Sequence, residues 1–277
     1  MSTDLSGNPM RLMLATAIAV IIVSPLPAAA ACSAASPAHT LALTELYTSE
    51  GCDSCPPADR WMSGLPARGL GADKVVPLSL HVDYWDYIGW KDVFAQPQFT
   101  ERQRQISRWS GSSFVYTPQV MVQGRDFRGW RSGEFERQVT SVNAQPARAD
   151  IGLGLDVAEG GVSVVANAAV KAALGAAGNA AKRAPGARLQ LFVALTQSRI
   201  ASPVKAGENR GVTLKHDYVV REWLGPVALG ADGKARLEKI IMPPKGAPTN
   251  DFGLVAFVQD AASGEILQAL KLDACKT

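Results

Sequence analysis

Apolar residues follow two different spacings along this chain, and the change from one to the other divides it. Residues 41–48 form a short apolar run suited to a buried strand. In 56–65, Ala58, Trp61, Met62 and Leu65 recur at i, i+3, i+4 and i+7, which is one face of a helix. Residues 75–82, rich in Val and Leu, predict a second buried strand. Residues 98–109 are polar with Phe99, Ile106 and Trp109 as anchors, and predict a second helix. A hairpin over 119–123 and 127–130 around Gly124 follows, then a helix over 132–143 with Phe135, Val139 and Val142 inward. The order β-α-β-α-β-β-α predicts a parallel-containing sheet with helices packed on it.

Beyond Asp150 the period falls to two. Ile151, Leu153, Leu155 and Val157 alternate with Gly and Asp, and Val162, Val164, Ala166 and Ala168 repeat the pattern after Glu159-Gly160-Gly161. Residues 189–195, 236–241, 252–258 and 266–272 continue it, with Asp232-Gly233 and Ser263-Gly264 as turns. Six short strands without a convincing helix predict a small antiparallel sandwich-like domain. The seam falls at Gln145-Pro146, giving an α/β domain over 32–145 and a β-rich domain over 146–277, with the Ala/Gly-rich 171–187 as a surface loop.

The beginning of the chain reads differently. Residues 12–23 are apolar but for Thr16, preceded by Arg11 and followed by Pro25, Pro27 and the alanines 28–31. A membrane span needs roughly 20 such residues. A charged start, short apolar centre and small residues at the end instead predict a signal peptide over 1–31 and a periplasmic or secreted protein. With no Arg pair, ordinary Sec export is expected over the twin-arginine route. Cleavage there leaves Cys32 near the new N-terminus; Ala29 stands where a lipobox carries Leu, so a lipoprotein is the lesser alternative. At 47% hydrophobic, 19% charged and net +3, the chain is an ordinary globular protein. No basic run suggests nucleic acid or an anionic membrane surface as partner.

Export places the four cysteines in an oxidising compartment. Cys52 and Cys55 form a CxxC, and Cys32 and Cys275 lie at the two ends of the mature chain. Of the three possible pairings, the economical one makes Cys52–Cys55 a reactive pair and Cys32–Cys275 a structural staple; free outer thiols are the alternative. The CxxC follows a strand and opens a helix, where unpaired N–H groups and the helix dipole favour thiolate. Pro56 or Pro57 suits the first helical turn. On this reading Cys52 is the exposed attacking thiol and Cys55 the buried resolving one. Negative Glu50 and Asp53 raise the thiol pKa and argue against a powerful oxidant. A zinc site would need two more ligands, and no second CxxC or HxxxH is present.

In Val115-Tyr116-Thr117-Pro118-Gln119-Val120 the chain resembles the thioredoxin superfamily. That resemblance implies a cis bond at Pro118 opposite the CxxC, with Thr117 and Pro118 positioning substrate backbone. A narrower resemblance rests on Thr48-Ser49-Glu50-Gly51-Cys52 through Pro57, on His81-Val82-Asp83-Tyr84-Trp85-Asp86-Tyr87 with Gly89-Trp90-Lys91-Asp92, on Tyr116 to Gln119, and on Gly207-Glu208-Asn209-Arg210-Gly211. These look like the secreted bacterial family catalogued as domain of unknown function 1223, over about 41–258. It implies a thioredoxin-like fold and no settled activity.

Two further segments could serve the CxxC. His81, Asp83, Trp85 and Trp90 could wall a groove or relay the thiol proton, or only pack beneath the second domain. Arg210 or His216 could fold back and lower the thiolate pKa, or make only surface pairs. The expectation is an exported thiol–disulfide oxidoreductase that needs a redox partner protein or low-molecular-weight thiol and no organic cofactor or metal. A periplasmic copper carrier using Cys52, Cys55 and His81 is one alternative. A binding module with a permanent Cys52–Cys55 disulfide is the other.

Overall fold

The computed structural model describes residues 1–2, 32–158, 160–171, 188–243, 248 and 251–275. All but the first two residues of the expected signal peptide and most of the loop at 171–187 lie outside the described residues.

The first half contains β1 (Cys32–Ala35), β2 (Ala42–Thr48), helix α1 (Pro56–Ser63), β3 (Val75–His81), a 3-10 helix at Asp83–Ile88, helix α2 (Pro97–Trp109), β4 (Gln119–Val122), β5 (Arg125–Asp126) and helix α3 (Glu134–Asn143). Among the described residues the elements that follow are strands: β6 (Ala149–Ala158), β7 (Gly161–Val170), β8 (Leu189–Gln197), β9 (Ile200–Pro203), β10 (Thr213–His216), β11 (Val219–Ala228), β12 (Lys234–Ile241), β13 (Phe252–Asp260) and β14 (Ile266–Asp273).

β2 and β3 are buried along their whole length and pair in parallel, Ala42 opposite Val75 through Thr48 opposite His81, with α1 as part of the crossover. β4 runs antiparallel on the far side of β2. Gln123 and Gly124, at φ 51° and 70°, turn β4 into β5, the positive-φ pair that a tight hairpin requires. β5 stops at Asp126. Residues 127–130, expected as strand, instead lead into a 3-10 turn at Arg128–Arg131 that buries Trp130 against Trp61, ring centroids 5.3 Å apart.

The expected fold class, a thioredoxin-like α/β domain followed by a small separate sandwich, is overturned by the sheet topology. One mixed sheet of eight strands runs β14-β13-β8-β11-β3-β2-β4-β5. Val219 of β11 pairs in parallel with Ser79 of β3, so strands from the second half continue the sheet that holds the CxxC strand. Among the described residues β1-β6-β7-β12 make a second sheet, and β9-β10 form a two-stranded ribbon.

The cores follow this topology. α1 and α3 cover one face around Met62, Leu65, Val120 and Phe135. On the other face one larger core joins Leu43 and Leu78 to Leu155, Val164, Leu195, Val255 and Leu270, so both halves share it. Arg102 of α2 stitches the halves as well. It donates to Glu45 Oε1 on β2 at 2.6 Å, and its guanidinium lies 4.9–5.2 Å from the rings of Phe192, Trp223 and Phe257. Cys32 and Cys275 are joined by a disulfide that ties edge strand β1 to the residues following β14.

Candidate active site

The site is built where β2 and β3 end. After Thr48 the chain turns through Ser49, Glu50 and Gly51 to Cys52. A Cβ on Gly51 would lie 3.2 Å from both Ile88 Cδ1 and Trp85 Cβ, so the aromatic segment packs directly on this turn. Cys55 is the residue capping α1, with Pro56 and Pro57 in the first turn, where no N–H is needed. Cys52 and Cys55 are joined by a disulfide, their Cα atoms 5.4 Å apart.

The Thr117–Pro118 peptide is cis. Thr117 donates its hydroxyl to Cys52 Sγ at 3.4 Å, and Ser54 Oγ stands 3.3 Å from the same sulfur. Trp85 fixes Thr117 in turn, its indole N–H donating to the Thr117 hydroxyl at 2.7 Å. Both cysteines are fully buried, at 0% exposure, so the expected exposed Cys52 is corrected. Segments from both sides close over it.

Behind the disulfide lies a buried layer of ionisable groups. His81 Nδ1 is 2.7 Å from Asp92 Oδ2, both side chains wholly buried. The Asp92 carboxylate also accepts from the Glu50 and Phe94 amides at 2.9 Å each. Burial opposes charge on both partners. The Asp92 carboxylate nevertheless holds the His81 imidazole above its usual range, and His81 with the two amides holds Asp92 below its own. Glu50 behaves similarly. Burial would raise it, but His216, Ser202 and the Trp90 indole all hydrogen-bond to it and leave it lowered. Trp90 Nε1 reaches Glu50 Oε2 at 2.8 Å, and His216 Nε2 lies 3.2 Å from Oε1.

The His81, Phe94 and His216 rings meet edge to face, 5.0–5.7 Å apart. Among the described residues His81 Nε2 and His216 Nδ1 have no hydrogen-bond partner. Asp59, one helical turn beyond Cys55, accepts from the Thr48 hydroxyl at 3.2 Å, and burial raises its carboxyl.

Several residues expected at the sulfurs therefore sit elsewhere. His81 is committed to Asp92, and His216 contacts Glu50 in place of a cysteine. Asp83 accepts the Thr100 hydroxyl at 2.5 Å and pins the 3-10 helix to α2. Arg210 is exposed. The Gly207–Gly211 segment does reach the CxxC, but through its neighbours. Asn209 Nδ2 donates to the carbonyls of Glu50 and Cys52 at 2.9 and 3.0 Å, and Glu208 Oε2 accepts from the Asp53 amide at 3.1 Å. Asp59 and Ser202 carried no sequence signal beyond an ordinary helix acid and an ordinary loop serine. Among the described residues no group of three or more His, Cys, Asp or Glu is arranged to hold a metal ion.

Comparison with known proteins extends this picture. The sequence model of the family described as protein of unknown function DUF1223 matches residues 43–259. A protein from Agrobacterium tumefaciens is similar in structure, with a TM-score of 0.60 and 25% identity over 87% of this chain and 98% of that one. HBP35 of Porphyromonas gingivalis gives 0.62 over 85% of this chain and 76% of its own, and at 16% identity that likeness is one of fold. No curated protein matches the sequence.

Proposed function

Taking as premise that the chain belongs to the DUF1223 family, we propose that it is an exported thiol–disulfide oxidoreductase. It works through Cys52 and Cys55 on a redox partner protein or a low-molecular-weight thiol. The observation that carries this reading is the setting of Cys52 Sγ, bonded to Cys55 at the start of α1 and receiving the Thr117 hydroxyl at 3.4 Å. A bond needed only for stability has no use for a hydroxyl donor held in place by an indole.

The oxidised pair accepts two electrons in two exchanges. A partner thiolate attacks Cys52 Sγ, the Cys52–Cys55 bond breaks, and a mixed disulfide forms as Cys55 leaves as thiolate. Cys55 takes up a proton, for which Asp59 is the nearest buried acid along α1. A second partner thiolate then attacks the partner's own sulfur in the mixed disulfide, and Cys52 leaves as a thiolate that Thr117 stabilises. The partner dithiol becomes a disulfide and the CxxC a dithiol. In the reverse direction the same steps reduce a partner disulfide. Thr117 and Pro118 line the approach to Cys52.

The complete burial of both cysteines favours a second reading, a permanent structural disulfide. A glutathione redox titration with mass-tagged thiol counting, on wild type beside Cys52→Ser, separates the two. The oxidoreductase reading expects one pair that titrates reversibly in the physiological range and is lost in Cys52→Ser. A Cys52–Cys55 bond that stays oxidised throughout would establish the structural reading.

A further inference from the structure

The β9–β10 ribbon pairs with neither large sheet, and an isolated two-stranded ribbon is marginal in water. What holds it is the CxxC turn. Ser202 of β9 and His216 of β10 both hydrogen-bond to the Glu50 carboxylate, and Asn209 at the tip donates to the Glu50 and Cys52 carbonyls. Gly207 and Gly211, at φ 71° and 85°, bracket Glu208-Asn209-Arg210. Gly207 lies so close to the aromatic segment that a Cβ there would stand 3.2 Å from Trp90 Cβ. The tip and the aromatic segment thus meet over Cys52, which has no exposed surface.

Glu208 adds a chemical obstacle. Its carboxylate takes the Asp53 amide at 3.1 Å, a backbone donor beside Cys52 in the turn that opens α1. It also places negative charge where an incoming thiolate must pass.

We propose that the β9–β10 ribbon is a latch: its tip, through Asn209 and Glu208, keeps the Cys52–Cys55 pair closed, and a partner thiolate reaches Cys52 only when the tip lifts about Gly207 and Gly211. The proposal rests on the redox reading of that pair. Asn209 and Glu208 are positioning residues on this account. They govern access to the exchange and take no part in its bonds.

The test is the rate of reduction by excess dithiothreitol, acid-quenched and read by mass-tagged thiol counting assigned to each cysteine. Dithiothreitol supplies both thiols, leaves as its cyclic disulfide and delivers the two electrons. Asn209→Ala, which removes two hydrogen bonds, is expected to speed reduction of Cys52–Cys55 by up to about 25-fold, at about fivefold per bond. Glu208→Gln, at an exposed position, is expected to give a gain of a few fold. Gly211→Ala removes no contact, since a Cβ there meets nothing within 4 Å. It disfavours the left-handed backbone of the closed tip and is expected to speed reduction as well.

Cys32–Cys275 serves as the internal control. Its rate stays at the wild-type value if the opening is local and rises in parallel if a variant has merely unfolded, which would overturn the latch. Rates within twofold of wild type in all three variants, with the CxxC still reversibly reducible, would overturn the latch and leave the oxidoreductase reading standing. A CxxC that is reduced only after denaturation, in wild type and variants alike, would overturn both.

Discussion

Two disulfides of the same chain stand in opposite surroundings. Cys52–Cys55 spans a sequence separation of 3 and Cys32–Cys275 one of 243. The short one sits where a parallel strand pair ends and a helix begins, among hydroxyls, an indole, two imidazoles and three buried carboxyls. The long one joins an edge strand to the chain end, with Cys275 exposed. Accessibility runs against the assigned roles, since the pair with the chemistry around it is the covered one. A short bridge restricts the unfolded chain little and a long one restricts it greatly. Placement of donors and acids, more than exposure, distinguishes the pair proposed for exchange.

The comparison is broken most sharply by removing resolving chemistry. Cys55→Ser is expected to hold a mixed disulfide on Cys52 and to reduce turnover of a disulfide substrate to background. The double variant Cys32→Ser/Cys275→Ser is expected to turn over within twofold of wild type. Equal losses in both, followed by a fluorescent disulfide assay, would erase the distinction.

Stability should order the two bonds the other way. Chain entropy gives about 5 kcal/mol for the long bridge and about 2 kcal/mol for the short one. Urea unfolding of the two double Cys→Ser variants measures the difference, and a larger loss from Cys52→Ser/Cys55→Ser would contradict it.

pH sharpens the comparison next, because His81, Asp92 and Glu50 all lie at the CxxC end. His81 is a base held above its ordinary 6.5, so its contribution is complete below that value and is lost as pH rises through the folded one. Asp92 and Glu50 are acids held below 3.8 and 4.5, so theirs is lost as pH falls through their folded values. His81→Gln is expected to lower Tm at neutral pH and to flatten its decline on the alkaline side. Thermal melts across pH that show an unaltered alkaline limb would sink the assignment.

The smallest effect is expected from Trp85→Phe, which deletes the donor to Thr117 at 2.7 Å. A loss of about 1 kcal/mol in stability and a few fold in exchange rate is expected, with Cys32–Cys275 reduction unchanged. An exchange rate equal to wild type would show that Thr117 needs no second support.

Local chemistry was legible in the sequence and long-range pairing was not. The CxxC, the α1 face of Ala58 and Met62, and a buried strand at 75–82, one residue longer than the strand that forms, all follow from neighbours within one turn or one strand. β11 is not legible because Gly225-Pro226, a dipeptide type that ordinarily marks a turn, falls within the strand, between register positions Leu224 and Val227. Without β11 nothing connects the two halves of the sheet, and an independent sandwich is the natural inference. β13, buried at all nine positions, is the signal that pointed the other way, since a strand apolar on both faces belongs inside a covered sheet. At the site, Arg210 and His216 stand out in the sequence by their charge. Asn209 acts through a neutral amide whose acceptors lie 157 and 159 residues away, and no local pattern announces such a contact.

That separation sets an order of events during biogenesis. The two thiols of the CxxC are neighbours as soon as they emerge, while the ribbon tip that helps to cover them follows more than 150 positions later. At about 5–20 residues per second, the ribbon trails the cysteines by roughly 8–30 s of synthesis. On the proposed reading, an oxidant that meets the chain before the ribbon has folded reaches both thiols unshielded, and the ribbon covers the bond afterwards.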